Sequence, residues 1–153
     1  MRSRKIRFCC VLLLTAVWIG FIIQRSLQPA SASSGESSAV LAVLGLPDTH
    51  IFSVLIRKAA HVTEYGILGV LLCEDFRLLG AGPKMLPLGI GLAVAAADEW
   101  IQTMVPGRAG RVRDAALDFM GVWAAYLLFR YVGRLHRKRK ERAEEKHGRS
   151  ERA

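Results

Sequence analysis

The sequence predicts an all-α protein, a four-helix transmembrane bundle with both termini in the cytoplasm. Apolar runs recur over about 8–23, 50–73, 86–104 and 114–133, each near the ~20 residues that an apolar helix needs to cross a bilayer. Basic residues crowd the two ends and one loop instead of spreading through the chain. Hydrophobic residues make up 52% of a chain whose formal net charge is +9. At 153 residues it is one domain by length.

A surplus of 22 Lys and Arg over 13 Asp and Glu would point a soluble protein toward nucleic acid. Here the cations flank apolar runs and no aromatic-rich basic stripe accompanies them, which fits membrane topology and excludes a nucleic-acid partner. Cys9, Cys10 and Cys73 lie in or beside apolar runs without a C-x-x-C spacing. They read as packing residues, not as a disulfide framework or a metal site.

The first element couples a basic start, M1-R-S-R-K-I-R7, to the apolar run F8–I23. A signal peptide has the same order of parts, and A30-S-A32 resembles a cleavage site, but this run is longer than a usual h-region. We read it as a retained first helix. Residues 24–47 are rich in Ser, Ala, Pro and Gly and predict a flexible external loop. The apolar stretch within it, 39–46, is too short to span a bilayer.

Pro47-Asp48-Thr49 supplies a breaker and a helix-start signal for the second helix. Lys58, His61 and Glu64 follow at i, i+3 and i+6, with Tyr65 four residues after His61, so the four share a face. Gly66 and Gly69 permit close packing. The third helix is lined with small residues, G89-I-G-L-A-V-A-A-A97, and ends on Asp98, Glu99 and Gln102, with Trp100 as an interface anchor. Pro106-Gly107 predicts a type II turn. The fourth helix starts near Asp114, and the charged tail over 134–153 reads as a solvated segment held by anionic lipids of the inner leaflet.

Orientation follows from counting cations near the spans. One side carries Arg2, Arg4, Lys5, Arg7, Arg77, Lys84 and the cluster over 134–140. The other carries Arg25, Arg108, Arg111 and Arg113, so the richer side is cytoplasmic. The polar residues of the last three helices then lie in the outer half of the membrane.

Intramembrane carboxylates are expensive and need a partner or a task. Asp114 suits either an N-cap or a site residue. Asp118 lies one turn, about 6 Å, deeper and shares its face. Lys58, His61 and Glu64 form either a self-neutralising ladder or part of a substrate site. His61 with Glu64, Asp98 and Asp118 offers acceptable metal donors, but in no established metal spacing, and cations crowd them. The expectation is therefore no metal and no cofactor.

Two blocks, K58-A-A-H61-V-T-E64-Y65-G-I-L68 and D98-E99-x-x-Q102-x-x-x-P106-G107-R108 with D114-x-x-x-D118-x-x-G121, resemble the VanZ-like family of small bacterial membrane proteins. The resemblance implies a multi-pass protein of the bacterial plasma membrane and cell envelope. The family's name-giving members lower susceptibility to the glycopeptide teicoplanin. The expected binding set is Lys58, His61, Glu64, Tyr65, Asp98, Glu99, Gln102, Arg108, Asp114 and Asp118, with Arg108 turned inward and paired to a carboxylate. His61, Glu64 and Asp98 are the candidates for proton chemistry. The expected partners are membrane lipids or lipid-linked cell-wall precursors. Two further readings stand beside this one: an intramembrane enzyme acting on an envelope lipid or headgroup, and a structural or accessory membrane subunit.

Overall fold

The computed structural model describes residues 2–80, 82 and 84–150, without the side chains of 2 and 146–150. Five helices follow one another: α1 (Arg2–Ser26), α2 (Ala30–Leu44), α3 (His50–Leu79), α4 (Leu86–Gln102) and α5 (Val112–Ser150). No strand occurs among the described residues. The all-α class is as expected; the expected number of helices is one too few.

The extra helix is α2, which replaces the flexible loop read over 24–47. Its serines stay helical because Ser34 Oγ bonds Ala30 O (2.9 Å) and Ser37 Oγ bonds Ser33 O (3.0 Å), a back-bonding pattern that satisfies a hydroxyl without breaking the helix. Ser33, Ser37 and Leu41, four residues apart, form its buried face. The helix stops at Gly45, where a left-handed φ of 65° lets Leu46 N reach Leu41 O at 3.0 Å, the Schellman closure that glycine favours.

Thr49 caps α3 by accepting from Phe52 N, as the Pro-Asp-Thr signal predicts. The expected turn is also present: Arg108 N bonds Val105 O at 3.1 Å, and Gly107 takes a φ of 76°. Gly107 thus sits at the position of a type II turn that requires positive φ.

Contacts fix the helix directions. Arg4 Nε donates to Leu78 O (2.9 Å) and Trp18 Nε1 to Glu64 O (2.9 Å), so α1 and α3 run antiparallel. Lys58 meets Asp114 and His61 meets Asp118, so α3 and α5 run parallel. Tyr126 Oη lies 3.6 Å from Met85 Sδ, which turns α4 against α5. The α3–α5 and α4–α5 seams close through small residues. A Cβ added at Gly69 would stand 2.9 Å from Val122 O, and one at Gly91 would stand 2.5 Å from Val122 Cγ1.

The core gathers Ile22, Tyr65, Leu68, Leu72, Ala95 and Val122, with Trp18, Ile19 and Phe119 against it. Outside that core the helices present apolar side chains outward, among them Leu13, Val17, Met120, Trp123 and Leu128. Two helical segments, Ser3–Ser26 and Val112–Glu145, are long and apolar enough to cross a membrane. Cys73 is buried, while Cys9 and Cys10 are exposed; all three are free thiols.

Candidate functional site

Polar side chains from α3, α4 and α5 converge at one end of the bundle. Asp98 and Asp118 are 2% and 1% exposed, and Glu99, Gln102 and Tyr65 are buried with them. His61 Nδ1 lies 3.3 Å from Asp118 Oδ1, within ion-pair range but outside hydrogen-bond geometry, which leaves both oxygens of Asp118 without a hydrogen-bond donor. Gln102 Nε2 donates to Asp98 Oδ2 at 3.1 Å and holds one oxygen of that carboxylate. Asp98 Oδ1 and the Tyr65 hydroxyl have no hydrogen-bond partner. Buried polar atoms without partners are uncommon, and a cluster of them calls for a physical reason.

The loop after α4 is tied to this cluster by its backbone. Arg111 N donates to Glu99 Oε2 at 2.6 Å. Gly110 makes that approach possible, since a Cβ there would stand 2.5 Å from Glu99 O. Asp114 does not cap α5: it lies within the first turn, and its Oδ1 receives Lys58 Nζ at 3.1 Å. Both members of that pair are well exposed, so it contributes at most ~1 kcal/mol.

Glu64 is held from α1, a connection the sequence reading missed. Arg25 Nε lies 3.0 Å from Glu64 Oε1, and Arg25 NH1 lies 2.8 Å from Glu36 Oε2 of α2. The one sequence signal for this link was an arginine directly after an apolar run, which is also what any helix end displays. Arg57 was missed as well.

Lys58, His61, Glu99, Gln102, Arg108, Asp114 and Asp118 line a cleft of about 500 Å³, and Arg57 and Arg111 join them there. Glu64 and Asp98 instead line a small adjoining recess that shares Ser33, His61 and Arg108 with the cleft. Tyr65 lies under both, in the core. The expected binding residues are therefore brought together around two neighbouring spaces.

The expected pairing of Arg108 with a carboxylate is corrected. Among the described residues Arg108 has no ion pair, and neither has Arg57. Desolvation by burial pushes the pKa of Arg108 below its ordinary value; Asp98 opposes that shift, while Arg25 and Arg57 add to it. A guanidinium nevertheless stays charged. Arg108 is half-buried, whereas Arg111 and Arg113 are exposed.

Close helix seams, an outward apolar surface and a buried acidic–histidine cluster beneath a cationic cleft define a helical protein of membrane type. The chain belongs to the VanZ/LLP1 family, whose model matches residues 11–133. That span contains both sequence blocks that suggested it. No curated protein and no solved structure matches the chain.

Proposed function

We infer that this chain is a multi-pass protein of the bacterial plasma membrane whose cleft binds an anionic group of the cell envelope. In this reading α1, α3, α4 and α5 cross the membrane, α2 lies at its outer face, and both ends of the chain are cytoplasmic. The cleft then opens at the outer leaflet, where a lipid phosphate or the diphosphate of a lipid-linked cell-wall precursor is within reach. Binding such a precursor would shift the cell's response to glycopeptides that act on the same material.

The observation that carries this is the pair of arginines without carboxylate partners, Arg57 and Arg108, lining one cleft. A half-buried guanidinium needs an anion, and its fork suits phosphate oxygens. Mass spectrometry of lipids copurifying with the full chain tests it directly. A phosphorylated lipid retained by wild type and lost in Arg108→Ala is the expected outcome; equal retention by both overturns the reading. Glycopeptide tolerance at matched membrane abundance should likewise fall in Arg108→Ala and persist in Arg111→Ala. Lys at position 108 should recover little, because a point charge does not reproduce a bidentate fork.

The enzymatic reading draws on a different observation, the contact of His61 with Asp118, since a histidine oriented by a carboxylate is suited to moving protons. Turnover of the copurified lipid, abolished in His61→Ala, would favour it. Full tolerance of substitution throughout the cluster would leave only a structural or accessory role.

A further inference from the structure

We propose that His61, Asp98 and Asp118 bind a divalent transition-metal ion of the zinc type. The three residues come from α3, α4 and α5, and their ligand atoms all lie within 4.8 Å of one another. His61 Nδ1 and Asp118 Oδ1 are 3.3 Å apart. A tetrahedral ion with bonds of about 2.0–2.1 Å sets its donors ~3.3–3.4 Å apart, so this pair already has the spacing of one edge.

The second observation is the state of the oxygens. Asp98 Oδ1 and both oxygens of Asp118 are buried and lack hydrogen-bond donors, in residues at most 2% exposed. Two carboxylates so placed, with the His61 ring and the Tyr65 hydroxyl as their near polar neighbours, repel each other when charged and lack solvation. A dication neutralises both and takes up one oxygen of each carboxylate. Gln102 behaves as an outer-shell partner would, binding Asp98 Oδ2 and leaving Oδ1 free; such partners orient metal ligands. Arg25 and Arg108 border the recess, yet neither forms an ion pair with Asp98 or Asp118.

The donor set selects the ion. One imidazole with two carboxylates suits zinc or manganese, whereas calcium and magnesium favour all-oxygen sites. Three protein ligands leave one position of a tetrahedron open, and two of the three, His61 and Asp118, also line the cleft. The inference stands without the anion-binding reading, because it rests on different residues.

Its test uses the full chain, purified in detergent without a histidine tag, in a Cys9→Ser/Cys10→Ser background to remove the exposed thiols. After chelator treatment, Zn²⁺ is titrated against a chromophoric competitor. One equivalent per chain is expected. His61→Gln, Asp98→Asn and Asp118→Asn should each lose affinity at least ~10-fold, the lower end of what even an outer-shell change costs. Asp75→Asn is the control, since Asp75 is also a buried carboxylate, bonded by Thr15 Oγ1 at 2.6 Å; it should bind as wild type does. The Asn substitutions are isosteric and relieve repulsion, so the variants should melt no lower than the metal-free parent. No stoichiometric binding by wild type, or retention by any one of the three ligand variants, overturns the site. Arg108→Ala should keep the metal while losing the lipid, so failure of either proposal is visible without the other.

Discussion

Gly121 leaves no room for a methyl group: a Cβ there would stand 2.5 Å from Val62 O and 3.1 Å from Gly66 N. The contact holds α3 and α5 close enough for His61 and Asp118, one turn away, to meet at 3.3 Å. Gly121→Ala should therefore cost ~1–3 kcal/mol through overpacking and disturb the cluster together with the seam. Gly20, on α1, has nothing within 4 Å of an added Cβ. Gly20→Ala should instead raise stability by up to ~1 kcal/mol through helix propensity. Melting temperatures of the two variants in one detergent check the contrast; a Gly121→Ala protein as stable as wild type would contradict it. Much at this scale was legible in the sequence. Spacing linked Lys58 with His61, which both meet α5, and an acid one turn into an apolar helix marked Asp118. Glu64, read on the same face, turns to Arg25 of α1 instead. The partners were not legible, because Arg108 and Asp98 can approach without pairing, and only coordinates show which carboxylate a given cation takes. Asp114 illustrates this: an acid at a helix start suits a cap, but here Lys58 from α3 claims its oxygen.

Helix α2 packs on α3 and borders the cleft through Ala30 and Ser33. Arg25 bridges Glu36 of α2 and Glu64 of α3, so three elements share one guanidinium. The two bonds should differ in worth. Glu36 is 44% exposed in its side chain and Glu64 only 14%. Glu36→Ala should cost ~0–1 kcal/mol, as exposed pairs do. Arg25→Ala leaves the Glu64 carboxylate with little solvent and without its paired cation, a loss of ~1–3 kcal/mol. Chemical or thermal unfolding of both variants reads the difference, and equal effects would show that Glu64 is solvated in the native state. The helix itself was hidden by composition. A stretch dense in Ser and Gly usually marks a loop, because serine hydroxyls compete for backbone bonds; here two of them bond carbonyls four residues back without breaking the helix. Pro29 before it and Gly45 after it were the usable signals, since the two punctuate a helix from opposite ends.

For the molecule as a whole, the helix directions sort the charges. Arg4 meets Leu78 at the end of the bundle where α3 stops. Arg77, Lys84, Arg130 and Arg134 line a second cleft at the same end, and α5 leaves the bundle there. The opposite end holds Arg25, Arg57 and Arg108 beside Glu64, Asp98, Glu99 and Asp118, so its net charge is low although Arg57 and Arg108 form no ion pair among the described residues. Arg77 pairs with Glu74, but Lys84, Arg130 and Arg134 form no ion pair among the described residues. Anionic inner-leaflet lipids attract such a set, and translocation disfavours it. That asymmetry was readable from the sequence once the apolar runs were found; the bundle adds that the first and last helices share their basic end. We expect this end to be cytoplasmic and the cleft with Arg108 to face outward. In the Cys9→Ser/Cys10→Ser background, Asp48→Cys lies in the exposed connection between α2 and α3, and Glu145→Cys lies in the exposed tail of α5. A membrane-impermeant maleimide should label Asp48→Cys in intact cells and Glu145→Cys only after lysis. Buried Cys73 should remain unlabelled in both. Labelling of Glu145→Cys in intact cells, with Asp48→Cys protected, would invert the orientation. The anion cleft would then face the cytoplasm, and its reading as a site for an outer-leaflet precursor would fall with it.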